Sequence, residues 1–201
     1  MSGSAPEPSP TLHDPRRRRW VRLTTLVGGA GAVAVAVPFV RSLNPSERAL
    51  AQGGPVEVAL AQLAPGGLET VEWRGRPVWV FRRTPAQVQS LESRIAFLAD
   101  PASRRSEQPA YARNPTRSVR PELGVLVAIC THLGCVPLRE AGLPINATDT
   151  LDAGFRCPCH GSKFDLAGRV FSNVPAPTNL TVPPYRYAGG GRIVIGLDPG
   201  A

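Results

Sequence analysis

Two short stretches concentrate the side chains able to do metal or redox chemistry. Cys130-Thr131-His132-Leu133-Gly134-Cys135 and Cys157-Pro158-Cys159-His160-Gly161-Ser162 hold all 4 cysteines of the 201-residue chain and two of its 3 histidines. A structural zinc takes four ligands, usually two pairs with regular spacing, so these stretches offer too many donors for one zinc. Disulfides alone suit an exported protein but leave both histidines without a role. A nucleophilic Cys/His pair needs one of each. The arrangement that uses every donor is a binuclear iron–sulfur centre plus one disulfide. Each stretch then gives one thiolate and one imidazole, thiolates on one iron and imidazoles on the other, and the remaining cysteines tie the two together. Zinc and disulfides alone stay open as readings that leave donors over.

Such loops need a frame, and the surrounding sequence supplies strands. Gly and Pro number 20 and 22, which favours short strands and turns over a helical bundle. Val56, Val58 and Leu60 alternate with Glu57 and Ala59. Glu69–Trp73 and Val78–Phe81 flank Arg74-Gly75-Arg76-Pro77 and read as a hairpin. Thr84-Pro85-Ala86-Gln87 starts a helix, with Thr as cap, Pro in the first turn and Gln completing the box; it is expected to run to about Leu98. Residues 101–121 read as loop. Leu123–Ile129 is an apolar strand leading into the first cysteine stretch, and Arg192–Ile195 is a last strand after three glycines. The stretch from Val136 to Arg156 reads as a long loop with no assigned role. Trp73 and Trp79 are expected in the sheet core or on the barrel surface rather than as redox relays, Asp165 is expected to fix its own loop, and Arg82-Arg83 and Arg104-Arg105 are read as solvated charges, with partner contacts as the alternative. His13 is read as inert.

The net charge of +8 is unevenly placed. Residues 1–22 carry five arginines against Glu7 and Asp14, whereas residues 42–201 carry only +4, so a nucleic-acid partner has little support. Leu23–Val40 holds no charged side chain and, as a helix, is about 27 Å long, enough to cross a bilayer core. The preceding arginines place the amino end in the cytoplasm and everything after Arg41 on the far side. Arg17-Arg18-Arg19-Trp20-Val21-Arg22 also resembles a twin-arginine export signal. Ala49-Leu50-Ala51 and Ala30-Gly31-Ala32 could serve a signal peptidase, but the segment is read as a retained anchor. The expected organisation is a cytoplasmic tail at 1–22, a transmembrane anchor at 23–41, a hinge linker at 42–54 and a head at 55–201. Within the head a cluster-binding subdomain is expected at about 120–175.

At the paired stretches, and through Val174-Pro175-Ala176-Pro177-Thr178-Asn179-Leu180, the sequence resembles the Rieske iron–sulfur proteins of quinol–cytochrome c reductases. The resemblance implies an all-β head of stacked antiparallel sheets with an inserted cluster-binding subdomain, plus one N-terminal transmembrane helix. It implies one 2Fe-2S cluster held by Cys130, His132, Cys157 and His160, a Cys135–Cys159 disulfide, and a Ser162 hydroxyl donating to a sulfur. It also implies that His160 and His132 face a bound quinol, with Leu133, Pro175 and Pro177 as the apolar rim that meets cytochrome b. The partners so implied are cytochrome b and a c-type cytochrome in a dimeric assembly of the bacterial inner membrane, with the head in the periplasm. Family members of high potential generally carry Tyr where Phe164 stands here. Rival readings are a Rieske subunit of a plastoquinol-oxidising complex or an arsenite oxidase, or a ferredoxin-type carrier. Cysteine at both 135 and 159 argues against the ferredoxin.

Overall fold

The computed structural model describes residues 14–44, 46 and 53–199. His13, Ala49-Leu50-Ala51 and most of the expected hinge lie outside the described residues. The chain divides into two compact units, 1–49 and 50–201.

In the first unit, helix α1 spans Pro15–Ser42. Asp14 caps it by accepting the Arg16 N–H at 2.8 Å, and Pro15 occupies the first turn. The helix therefore starts ahead of the arginines, and residues expected in the tail are helical from Pro15. Twenty-eight residues make about 42 Å of helix, long enough to cross a membrane. The Thr24 and Thr25 hydroxyls donate back to carbonyls one turn earlier, so they leave no free donor on the helix surface.

The second unit is built from three antiparallel three-stranded sheets. The first has β1 (Val56–Ala59), β9 (Arg192–Ile195) and β8 (Tyr185–Ala188), in that order. The second has β2 (Leu68–Trp73), β3 (Arg76–Arg82) and β4 (Leu123–Val127). The third has β5 (Leu138–Pro144), β6 (Thr150–Arg156) and β7 (Lys163–Phe164). The expected hairpin is β2–β3, with Trp73 opposite Arg76 across a two-residue turn. Arg74 and Gly75 both take positive φ, 52° and 68°, the turn hand that matches strand twist.

The third sheet is where sequence reading fell short, because β5 and β6 occupy the stretch read as loop. Their alternation is weak: the β5 faces grade from exposed to half-buried, with Leu143 alone fully buried. Helix α2 (Pro85–Ser93) has the expected capping box but stops short of Leu98. Leu98 instead takes extended backbone and bridges Phe171, joining Leu143 and Leu151 in a small satellite core. That tertiary contact outweighs helix propensity at the end of α2.

One main core joins the three sheets. Val78, Val80, Phe81, Val125, Leu126, Phe155, Phe164, Tyr185, Ile193 and Ile195 are fully buried in it. Phe155 of β6 stacks on Trp79 at 4.4 Å and meets Phe81 edge-on at 5.6 Å, fastening the third sheet to the second. Trp73 and Trp79 are both buried, which places them in the core rather than on the barrel surface.

Candidate metal centre

The two cysteine stretches leave the ends of β4 and β6 and close on themselves in the same way. In the first, Cys130 N–H donates to Cys135 O at 2.7 Å and Gly134 N–H to Cys130 O at 3.0 Å. In the second, Cys157 N–H donates to Ser162 O at 2.8 Å and Gly161 N–H to Cys157 O at 2.9 Å. Gly134 and Gly161 take φ of 84° and 73°, and neither would crowd a neighbour with a Cβ. They are needed for backbone hand, not for space. The shared closure sets Cys130 against Cys157 and Cys135 against Ser162, a correspondence that the unequal spacing of the histidines hides in the sequence.

Cys135 and Cys159 form a disulfide that links the two loops. Cys130 and Cys157 remain free thiols and both are buried. They are close enough to influence each other electrostatically. Burial pushes the Cys130 thiol above its ordinary pKa, against the opposing pull of the His132 backbone N–H and the Ser162 hydroxyl. Ser162 is fully buried, and its oxygen accepts the Ala176 N–H at 3.0 Å. Occupying that lone pair leaves the hydroxyl proton free for sulfur. The imidazoles of His132 and His160 meet edge to face, with ring centroids 4.7 Å apart. His160 is exposed, whereas His132 Nδ1 is buried without a hydrogen-bond partner. A buried imidazole nitrogen left unpaired is costly unless something coordinates it.

Among the described residues, one trio of ligating side chains falls close enough to hold a metal ion: Cys135, Cys157 and Cys159, with sulfurs within 4.8 Å of one another. Two of those sulfurs are spent in the disulfide, so the trio is not a zinc site. Two free buried thiols and two touching imidazoles, one with an orphaned nitrogen, carried by the same pair of loops, fit instead a cluster with one sulfur-held and one nitrogen-held iron.

Residues 56–185 match the Rieske 2Fe-2S domain, and residues 8–46 match the segment described as Ubiquitinol-cytochrome C reductase Fe-S subunit TAT signal. The chain is 51% identical over 187 residues to the ubiquinol-cytochrome c reductase iron-sulfur subunit of Allochromatium vinosum, covering 92% of this chain and 90% of the relative. The chain belongs to this Rieske family. The namesake subunit of Blastochloris viridis is 39% identical, covering 94% of this chain and 96% of the relative. That of Bradyrhizobium diazoefficiens is 36% identical, covering 90% and 95%. The twin-arginine reading, the fold class and the 2Fe-2S assignment agree with these matches.

Around the Rieske loops, Leu133 is 72% exposed, and Pro175 and Pro177 are exposed on either side of buried Ala176. Thr131 Oγ1 donates to Thr178 O at 2.7 Å, pinning the proline segment to the first loop. Asp165 fixes its turn: one oxygen accepts the N–H groups of Ala167 and Arg169 at 2.8 Å, and the other pairs with the Arg169 guanidinium at 2.7 Å. Arg169 reaches on to Leu91 O at 2.6 Å, tying the turn to α2.

A further expectation is overturned. Arg83 is not a solvated charge but 2% exposed. It donates to the carbonyls of Leu166, Pro121 and Thr116 and to Ser118 Oγ. Arg117, which sequence reading missed, is fully buried and donates to Ala167 O and to Gln108 Oε1. Desolvation pulls both guanidinium pKa values down to about 10, against the attraction of Asp165. Nothing in the arginine-rich composition separates these from surface arginines, because only the tertiary fold decides which carbonyls converge.

Proposed function

We propose that the chain is the redox subunit of a membrane quinol–cytochrome c oxidoreductase, taking one electron from quinol at cytochrome b and passing it to a c-type cytochrome. The observation that carries this reading is the pair of touching imidazoles, one exposed and one with an orphaned nitrogen, on the same two loops that carry two free buried thiols. Cys130 and Cys157 would hold one iron, and His132 and His160 the other. When bound, the 2Fe-2S cluster supplies a one-electron couple whose potential is raised because neutral imidazole replaces charged thiolate.

The protein's own groups do the rest. His160 presents its ring to the quinol hydroxyl and accepts its proton at the nitrogen not used for ligation. Ser162 and the His132 backbone N–H donate to the Cys130 sulfur, which favours the more negative, reduced state. Leu133, Pro175 and Pro177 seat the tip on cytochrome b and keep water from the proton-transfer pair. The 42–54 linker serves as the hinge that lets the head travel between cytochrome b and the c-type cytochrome, and the released quinol protons contribute to translocation. The assembly is a dimer in the bacterial inner membrane, with the amino end of α1 cytoplasmic and the head periplasmic. Family membership and the α1 anchor weigh against a ferredoxin carrier, and the named relatives weigh against a plastoquinol or arsenite complex.

His160→Ala tests the assignment. The electron-spin resonance signal of the reduced cluster is expected to vanish while the anchored polypeptide persists on immunoblots. An intact signal removes His160 from the ligand set.

A further inference from the structure

Cys157 stands in two relationships at once. It is a free, buried thiol beside Cys130, and its sulfur lies within 4.8 Å of both sulfurs of the neighbouring disulfide. Disulfides isomerise when a thiolate attacks one sulfur and expels the other, and the better-solvated sulfur leaves more readily. The two disulfide partners differ in this respect: Cys159 is exposed and Cys135 only partly so. Attack on Cys135 therefore expels Cys159 into water, and the product still links the same two loops. Attack on Cys159 would instead close a ring across Pro158 alone and release the loops from each other.

We propose that Cys157 is an intramolecular nucleophile toward the Cys135–Cys159 disulfide, and that ligation of Cys157 is what prevents the exchange. In the cluster-free chain the Cys157 sulfur bonds to Cys135 Sγ as it gives up its proton. The Cys135–Cys159 bond breaks, and the Cys159 thiolate takes up a proton. One S–S bond is exchanged for another, so no oxidant or reductant is consumed. The rearranged chain has lost a ligand into a disulfide and cannot rebind the cluster until the bond is reset. The exchange rests on sulfur geometry alone; the protection rests on the ligand set proposed above.

The test uses the detergent-solubilised full chain. Its cluster is removed by acid and chelator without reductant and without oxygen, at high dilution. The protein is returned to neutral pH, alkylated with N-ethylmaleimide and mapped by non-reducing peptide mass spectrometry. The expected result is label on Cys130 and Cys159 with a Cys135–Cys157 linked peptide, against an unchanged Cys135–Cys159 peptide in the chain that kept its cluster. Label confined to Cys130 and Cys157 overturns the proposal. So does rearrangement of Cys135–Cys159 in Cys157→Ser under the same treatment, because the nucleophile would then be another thiol. Iron and sulfide analysis of Cys157→Ser keeps the two readings apart: full cluster content there would remove Cys157 from the ligands while leaving the exchange result to stand or fall by itself.

Discussion

At the scale of single residues, the proposed function depends on donors placed against sulfur. Ser162 is held for this by Ala176, whose N–H fills one lone pair of the serine oxygen. Phe164 is the position where the chain has no donor to offer: it is fully buried in the same core cluster as Cys130 and Cys157. A hydrogen bond is worth about 0.5–1.5 kcal/mol, or roughly 20–65 mV for a one-electron couple. Phe164→Tyr is therefore expected to raise the midpoint potential by that amount in protein-film voltammetry, and Ser162→Ala to lower it by a similar one. The donors themselves were legible in the sequence, since Cys and His at close spacing are scarce enough to mark a site. The Ser162–Ala176 contact was not, because it joins residues that only the packed loops bring together.

At the scale of elements, the loops depend on what β4 and β6 are held against. Gly124 in β4 lies over Phe81, and a methyl group there would sit 2.2 Å from the ring. Phe81 is itself fully buried, so neither side can give. Gly124→Ala is expected to cost about 1–3 kcal/mol, read as a lower melting temperature of the full chain, with part of the cluster lost on heating before the wild type loses any. The β2–β3 hairpin and the start of α2 were legible because a two-residue turn and a capping box are local devices. The β5–β6 hairpin was not. Its strands carry Gly142, Gly154 and several half-buried positions, and they become strands by pairing with each other and by packing Phe155 on Trp79. Gly154 shows the same dependence: a Cβ there would meet Leu143 at 2.6 Å and the Phe164 carbonyl at 2.8 Å.

At the scale of the whole head, three buried arginines hold the turn that follows the second loop. Arg83, Arg117 and Arg169 come from separate segments and converge on residues 165–168, supplying donors to the carbonyls of Leu166 and Ala167 and to the Asp165 carboxylate. Arg83→Met keeps much of the volume but leaves several buried carbonyls without donors. It is expected to destabilise the head by about 2–4 kcal/mol in chemical denaturation, with the proposed ligands untouched. The pH dependence follows from burial. Arg83 and Arg117 have folded pKa values near 10, below the ordinary 12.5, so between those values the unfolded chain holds more protons and their share of stability rises with pH. Below about pH 10 both states are charged and that share is constant. Denaturation midpoints of wild type and Arg83→Met are accordingly expected to keep a fixed separation from pH 6 to 9.

What the sequence determined by itself was chemical identity: which atoms can bind iron, where an apolar helix can cross a membrane, and where local turn and cap residues start an element. Those depend on residue type and short spacing, which folding does not alter. The tertiary structure decided which pairs of those residues meet. It joined Cys135 to Cys159, left Cys130 and Cys157 as free buried thiols, turned a supposed loop into a third sheet, and drew Arg83 from an expected surface into the interior. Each of these is a long-range contact, and its energy comes from burial shared between segments that are far apart in the chain.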